Sequence, residues 1–561
     1  MADKGIGTVD KICAASQHPL RMLDRVRKLW ASLADQRAYV DAYFSAMLLV
    51  VLLGVFLRVN GWLGHHISFW MDEALWASRV LHRPLIALGI RPIGFVAITR
   101  AVVSLFGPTE VWFRFLPAMG AIGSLLLMPY VASQLLAAKW LRLLMVLMFA
   151  IQPALVDYAN EFKPYSWEVL VHLLPLVLYL RFRETQQRAW LLALLGYLPV
   201  SFLLAYNMAL AFPGLLLLCL GVAWRSPQRN RLVAATLVSG VLCAGLGGLM
   251  FELSLKKVTT AERTENYWGK KYDVFFEKTE PLSRVEWTVQ KYNDMAAFVS
   301  QRRDSWITTG KISDANASKL AAVDRLFWVG LSFVGIAALW RKRRDLLLVL
   351  VAPLVMIVLA NFIGKWPLGA FRTNIWVMAF SLPLPFLGMQ FLAFERRAAM
   401  ALGALVVALT LAPGFLFGFD WHGHKRTFTR DFYEREVIAK LYDYRRHQLA
   451  KSPDMPKARL LLDLHTWYPQ IYYLEDHPEF REKYAKFFEE NFIVDRVGQG
   501  VLNSKLAAQL RRSNGEGLWL VSSSRREFEN MRRGVQRQVT VVVEEQVADE
   551  HVIMYVKPKG S

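Results

Sequence analysis

The chain has 561 residues, of which 54% are hydrophobic and 13% aromatic, and its formal net charge is +21. Apolar stretches of about 18 residues or more recur along it, which excludes an ordinary soluble domain and indicates a polytopic membrane protein. Its basic residues do not gather on one soluble module, so anionic membrane phospholipids are the expected partners and nucleic acid is not.

The first 41 residues are basic and amphipathic. Leu23, Val26 and Trp30 share one helical stripe among several arginines. This pattern is typical of a helix that lies on a membrane surface, although a frayed basic tail would have the same composition. We expect residues 1–41 to be cytoplasmic.

Eleven apolar segments predict membrane-spanning helices. They lie near residues 42–61, 112–136, 141–158, 164–181, 189–206, 208–224, 231–252, 324–340, 346–364, 371–393 and 398–418. Arginines and lysines cluster in every second short loop, which places those loops and the N-terminus in the cytoplasm. The alternation is consistent only if residues 92–106 lie against the outer leaflet, since that run is short and contains Arg100.

This topology predicts a transmembrane core at residues 42–420 with extracytoplasmic loops at 62–111 and 253–323. Residues 421–561 alternate strand and helix patterns, which predicts an extracytoplasmic α/β domain. Its strands are expected at 458–464, 517–523, 538–546 and 551–557, and its helices at 479–492, 503–512 and 525–538. The fold class is therefore a polytopic α-helical membrane protein with about 11 transmembrane helices and a C-terminal α/β domain.

An acid pair, Asp72 and Glu73, follows the first span in the segment SFWMDEALWASR. On a helix Asp72 shares a face with Trp76, while Glu73 points about 100° away, so the two acids need not have the same task. One interpretation is local: Ser68 caps the helix, and the acids stabilise the positive end of its dipole. The other is that Asp72 acts as a general base for an acceptor hydroxyl.

Cations recur at the turns on the same face. Arg91 either holds a lipid phosphate through paired hydrogen bonds or positions itself at the interface. Lys163 lies in the turn YANEFKPY, which is either a capped turn or a wall of a cavity. Lys365 and Arg372 flank a turn at the start of an apolar span, where a charge needs a partner or water. Acids near a hydroxyl and cations near a phosphate describe group transfer from a phosphorylated lipid.

Taken in order, these motifs resemble the C-type membrane glycosyltransferases, the superfamily that includes protein O-mannosyltransferases and the aminoarabinose transferase acting on lipid A. The series runs from the acid pair through the basic-proline step at Arg91, the segment LFGPTEVWFRFLPAMGAIG and the YANEFKPYSW turn to WPLGAFRTNIW, all within residues 40–420. It departs from the family in the single proline after Arg91 and in Lys163, where arginine is more usual. The C-terminal domain lies outside this resemblance.

The resemblance implies a polyprenyl-phosphate sugar donor in a bacterial inner membrane and a lipid, glycan or protein acceptor reached from outside. Asp72 would take the acceptor proton during an inverting displacement, and Glu73 is the second catalytic candidate. The expected phosphate ligands are Arg91, Lys163, Lys365 and Arg372. The expected cavity residues are Trp76, Tyr158, Glu161 and Tyr165.

No cofactor is expected; a divalent metal is the weaker alternative, with His65 and His66 beside the acids as its candidate ligands. Two other classes of function stay open. One is a transporter or flippase of lipid-linked sugars, which inverted repeats would support, although the sequence shows no such symmetry. The other is a membrane-anchored assembly factor for envelope glycans that works through residues 421–561.

Overall fold

The computed structural model describes residues 42–63, 68–88, 91–256, 275, 284, 286–289, 291, 329–369, 372–392, 434–462, 464–496, 517–522, 539–547 and 551–559. The predicted N-terminal surface helix, most of the predicted 253–323 loop and the predicted span at 398–418 lie outside these residues. So do the helices predicted at 503–512 and 525–538.

Helices make up the first part of the chain. In order they are α1 (Ala42–Leu63), α2 (Met71–His82), α3 (Ile93–Phe106), α4 (Glu110–Phe113), α5 (Phe115–Leu135), α6 (Lys139–Ala150), α7 (Pro153–Asp157), α8 (Tyr165–Thr185), α9 (Arg188–Leu204), α10 (Phe212–Trp224) and α11 (Arg229–Met250). Short 3₁₀ helices cover Leu85–Leu88 and Tyr206–Leu210, and a π-helical turn covers Phe251–Leu255.

The later helices are α12 (residues 329–342), α13 (Arg344–Leu350), α14 (Ala352–Phe362), α15 (Met378–Ser381) and α16 (Pro383–Phe391). A 3₁₀ helix, Arg372–Val377, precedes α15.

By length and composition, four helical segments of the described chain could cross a membrane: Tyr43–Leu63, Phe115–Leu135, Arg229–Leu253 and Thr373–Phe391. A fifth would be the α13–α14 pair, which bends by 42°. The outward faces of α1 and α11 are apolar, as at the exposed Leu49 and Val241, which suits contact with lipid. The described chain is thus a helical membrane protein, and the number of eleven spans stays a prediction.

The span predicted near 141–158 is interrupted, since α6 and α7 are separate helices. Arg58, fully buried in α1, donates hydrogen bonds to the carbonyl oxygens of Phe149 at 3.1 Å and Ala150 at 2.6 Å. The last carbonyls of a helix have no intrahelical donor, so this guanidinium satisfies the end of α6 from outside. The break therefore depends on a residue about 90 positions away, which a local apolar pattern does not reveal.

A mixed five-stranded sheet forms the centre of the C-terminal domain. Its strands are β1 (Ala458–Leu462), β2 (Phe492–Arg496), β3 (Leu518–Ser522), β4 (Val539–Val547) and β5 (His551–Pro558), and their spatial order is β2-β1-β3-β5-β4. β1 pairs in parallel with β2 and β3, whereas β5 is antiparallel to β3 and β4.

Helices accompany this sheet, namely α17 (Glu434–Lys451), α18 (Leu464–Ile471), α19 (Pro478–Phe480) and α20 (Lys486–Asn491), with π-helical turns at Tyr472–Asp476 and Arg481–Ala485. Four strands coincide with predicted ones. Sequence reasoning missed β2, because its five residues follow a helix directly and end in two charges.

The C-terminal domain shares one hydrophobic core with the loop that bears the acid pair. Phe69 and Phe95 from the loop and Phe113 from α4 are buried together with Tyr472 and Trp519 from the domain. The rings of Phe69 and Tyr472 lie 4.8 Å apart, and α18 packs against α2. The domain is therefore fixed directly on the segment that carries Asp72 and Glu73.

Candidate active site

The acid pair lies in the first turn of α2. This helix begins at Met71, so Trp70 is its N-cap residue, and the interpretation of Ser68 as the cap is wrong. The Ser68 hydroxyl instead accepts a hydrogen bond from the backbone N–H of Arg435 at 3.3 Å. Asp72 and Glu73 nevertheless lie at the positive end of the helix dipole, which stabilises carboxylates there.

Glu73 is completely buried, and both of its carboxylate oxygens accept hydrogen bonds. Its two carboxylate oxygens accept hydrogen bonds from Arg114 at 3.0 and 2.9 Å, and Oε1 also accepts the backbone N–H of Phe162 at 2.5 Å. A bidentate arginine–carboxylate pair fixes both geometry and charge. Glu73 thereby connects α2 to the start of α5 and to the YANEFKPY turn, which suits a structural role. The catalytic role predicted for Glu73 stays a prediction.

Asp72 has different surroundings. Its side chain is 24% exposed, and its Oδ2 accepts a hydrogen bond from Lys163 Nζ at 3.0 Å. The Lys163 side chain is only 4% exposed, and its Nζ lies 4.9 Å from the ring centre of Trp70. Of the two acids, Asp72 is therefore the one that a solvent-borne or lipid-borne substrate can approach.

The YANEFKPY turn forms the wall behind this pair. The Trp70 indole N–H donates to Glu161 Oε1 at 3.0 Å. The rings of Tyr158 and Tyr165 meet edge to face, 5.2 Å apart, and brace the two ends of the turn. Lys163 lies in the chain between Glu161 and Tyr165, which these contacts hold in place. The contacts therefore help to position Lys163 beside Asp72.

Arg91, two residues before the start of α3, lies against the same turn. It is buried, donates to the Phe162 carbonyl oxygen at 3.2 Å, and lies 4.4 Å from the ring centre of Trp76. Arg91 is thus joined through Phe162 to the turn that carries Lys163.

The other predicted site residues either lie apart from this cluster or lie outside what the structure describes. Among the described residues, no hydrogen bond or ion pair joins the exposed Lys365 to it. Arg372 begins a 3₁₀ helix, but its side chain lies outside what the structure describes, as do His65 and His66. Within the described ranges no three His, Cys, Asp or Glu side chains are grouped to hold a metal ion.

A buried acid in α8 was not singled out from the sequence. Glu168 accepts a hydrogen bond from the Asn207 side chain at 2.8 Å and lies within electrostatic reach of Arg91. An acid inside an apolar helix marks a functional candidate, since its burial is costly without partners. One acid in a long apolar run was the available signal.

Glu110 is the second group that the sequence did not reveal. It is buried and accepts hydrogen bonds from the Tyr473 hydroxyl at 2.7 Å and from Arg435 Nε at 2.9 Å, and His477 Nε2 lies 3.2 Å from its Oε2. Burial would raise the pKa of Glu110, but the hydrogen bond with His477 and the charge of Arg435 outweigh it and hold this pKa well below its usual range. Its partners lie more than 320 residues away, so no local pattern predicts them.

The fold and the site together define a helical membrane protein with an acid–lysine pair at one end of its bundle, against which a sheet domain is packed. No known family profile matches the chain, and no curated protein matches it.

Several solved structures are similar to the chain. ArnT from Cupriavidus metallidurans in the apo state has 12% identity and a TM-score of 0.49, with 93% of this chain and 98% of that chain covered. The same protein bound to undecaprenyl phosphate has 13% identity and a TM-score of 0.47, with 92% and 98% covered. The archaeal oligosaccharyltransferase AglB from Archaeoglobus fulgidus, in complex with an inhibitory peptide and a dolichol-phosphate, has 12% identity and a TM-score of 0.42, with 90% and 73% covered.

Proposed function

We propose that this protein is a membrane glycosyltransferase that moves a sugar from a polyprenyl-phosphate donor to an acceptor hydroxyl on the extracytoplasmic face, with inversion. The observation that carries the proposal is the partly exposed Asp72, which is paired with the buried Lys163 at the edge of an apolar helical bundle. The ordered motifs of the sequence support the same reaction.

The helix α8 supports the choice of membrane face. It begins at Tyr165, beside the cluster, and ends at Thr185, with Arg181 and Arg183 in its last turns. Its 21 residues would extend about 30 Å, the thickness of a bilayer core, and we propose it as a span in addition to the segments that meet the composition criterion. For such a span, the positive-inside rule would put the arginine end in the cytoplasm and the Asp72 end on the outer face, in agreement with the proposal.

The proposed step is one displacement. The acceptor oxygen attacks the anomeric carbon while the bond from that carbon to the phosphate oxygen breaks, and Asp72 takes the hydroxyl proton. The polyprenyl phosphate leaves with its negative charge stabilised by Lys163 and Arg91. The prenyl chain would lie along the apolar helices, where each buried CH₂ contributes about 0.8 kcal/mol to donor affinity.

Lys163 would have two tasks in this scheme. Without donor, it pairs with Asp72. A donor phosphate would compete for Lys163 Nζ and leave an oxygen of Asp72 to accept the hydroxyl of the acceptor. The base would then be available mainly when the donor is in place, which limits side reactions with water.

Donor binding tests the phosphate-binding part of the proposal. Arg91→Ala should weaken binding of a polyprenyl phosphate to the purified protein by about ten- to one-hundredfold, because a hydrogen bond to a charged group contributes roughly 1.5–3 kcal/mol. Arg372→Ala should weaken it in the same direction. The measurement is the change in intrinsic fluorescence or heat on titration with the lipid in detergent.

The matched control is Arg79→Ala. Arg79 also lies over the Trp76 ring, at 5.2 Å, but it is exposed whereas Arg91 is buried, so its loss should leave the affinity unchanged. Wild-type affinity in both the Arg91 and the Arg372 variants would rule out these arginines as the phosphate clamp.

A further inference from the structure

We propose that Tyr473 and Glu110 are positioning residues: they hold the C-terminal domain against the start of α2 and thereby fix Asp72 beside Lys163. The inference rests on the proposed function for what Asp72 does, but the mechanical link itself is argued from contacts alone. It gives the C-terminal domain a part in the reaction that its own sequence does not reveal.

The Tyr473 hydroxyl is the centre of the link. It accepts the backbone N–H of Phe69 at 2.8 Å and donates to Glu110 Oε1 at 2.7 Å. All three residues are buried. Phe69 lies three positions before Asp72, so this single hydroxyl holds the backbone that leads into α2.

Arg435 also connects the C-terminal domain both to Glu110 and to the segment before α2. Its backbone N–H donates to the Ser68 hydroxyl at 3.3 Å, and its guanidinium pairs with Glu110. Tyr473 and Arg435 thus hold Glu110 together with the Phe69 backbone N–H and the Ser68 hydroxyl.

A continuous series of bonds leads from Glu110 to the acid–lysine pair. The backbone N–H of Arg114 donates to the Glu110 carbonyl oxygen at 3.0 Å, and the Arg114 side chain clasps Glu73. Glu73 in turn accepts the N–H of Phe162, the residue before Lys163. Displacement of Glu110 would therefore move both sides of the Asp72–Lys163 pair.

Stability alone does not account for a buried polar network of this kind. Ionised groups lose their hydration on burial, and well-packed apolar residues often give equal or greater stability. What such a network supplies is one fixed geometry. That geometry matters for catalysis, because displacing a catalytic base by about 1 Å can lower the rate strongly. The apolar core around Phe69 and Tyr472 already holds the domain in place, which leaves orientation as the task of the polar bonds.

Tyr473→Phe tests this inference with the full-length protein. The change removes one hydroxyl and keeps the ring, which packs against Phe480 and His477. We expect kcat for release of polyprenyl phosphate from a polyprenyl-phosphate sugar, assayed in membrane vesicles that hold the natural acceptors, to fall about tenfold with the donor KM unchanged. Amide hydrogen exchange in α2 should become faster, while exchange in α10 stays at the wild-type rate.

Tyr444→Phe is the matched control, because the Tyr444 hydroxyl donates to Glu545 within the same domain and away from α2. It should change neither kcat nor exchange in α2. Glu110→Gln is the second variant and should reproduce the effects of Tyr473→Phe.

Wild-type kcat and wild-type exchange in α2 for both Tyr473→Phe and Glu110→Gln would overturn the inference. A loss of activity that only follows the fraction of unfolded protein would overturn it as well. If the wild-type protein transfers no sugar, the proposed function fails, and exchange in α2 then decides the mechanical link by itself.

Discussion

Asp72 and Glu73 are adjacent in the sequence but have opposite surroundings. Helical geometry predicts that they point in different directions, and the structure confirms this, with Glu73 buried against Arg114 and Asp72 partly exposed beside Lys163. The sequence could not predict these partners, because Arg114 and Lys163 lie 41 and 91 positions away. Direction is a local property of a helix, whereas pairing depends on how distant segments pack.

Glu110 shows the same limit more strongly. It is one acid in a short helix, and nothing near it in the sequence distinguishes it from a solvated residue. Its environment comes from Arg435, Tyr473 and His477, while the charge of Arg114 faces it from its own segment. These groups favour the ionised carboxylate, which explains why its pKa is held low despite its burial.

The low pKa of Glu110 predicts a dependence of stability on acid. A carboxyl group whose folded pKa is below its unfolded value of about 4.3 stabilises the fold fully above that pH, and the contribution is lost as the pH falls toward the folded pKa. The difference in unfolding temperature between the wild type and Glu110→Gln in detergent should therefore be large at pH 5. This difference in unfolding temperature should become smaller as the pH falls from about 4.3 to about 3. A difference that stays constant or widens over this range would contradict the assigned ionisation of Glu110.

At the scale of elements, apolar periodicity and strand patterns predict most of the helices and four of the five strands. They do not predict where helices are interrupted or how closely they approach one another. Arg58 of α1 donates a hydrogen bond to the carbonyl oxygen of Ala150, at the end of α6. The helices α12 and α16 approach each other closely where Gly335 faces Gly388. Close contact between membrane helices commonly needs such small residues, since backbone packing rather than the hydrophobic effect holds the helices together.

The contact of α12 with α16 gives a prediction at this scale. A Cβ at Gly388 would clash with the Leu331 carbonyl oxygen, so Gly388→Ala should push the helices apart and destabilise the protein by about 1–3 kcal/mol. Gly221→Ala is the control, because a Cβ in that helix meets no atom within 4 Å. Thermal unfolding in detergent should show a lower midpoint for Gly388→Ala and a midpoint at or above wild type for Gly221→Ala. Equal midpoints for the two variants would contradict this packing.

At the scale of the whole molecule, the sequence divides the chain into a membrane core and a separate C-terminal domain, whereas the structure joins the two through a shared core. Phe69 and Phe95 from the loop at residues 62–111 are buried with residues of the sheet domain. Each contributing segment is short and apolar, so in the sequence each resembles the core of its own unit. Only the folded arrangement shows that the catalytic candidate Asp72 lies at the junction of both units.

The most direct test of the proposed function is sugar transfer by Asp72→Asn, measured as release of polyprenyl phosphate from a polyprenyl-phosphate sugar in vesicles that hold the natural acceptors. Loss of a general base typically lowers the rate by a factor of about 10²–10⁴. Glu73→Gln is the informative comparison, since it removes the carboxylate charge that pairs with the buried Arg114 and should lower the thermal stability of the protein.

The proposed function predicts that Asp72→Asn loses transfer by at least about a hundredfold. Its affinity for polyprenyl phosphate should not fall below that of the wild type, because Lys163 no longer has to leave Asp72 to bind the phosphate. Transfer by Asp72→Asn at the wild-type rate would contradict it.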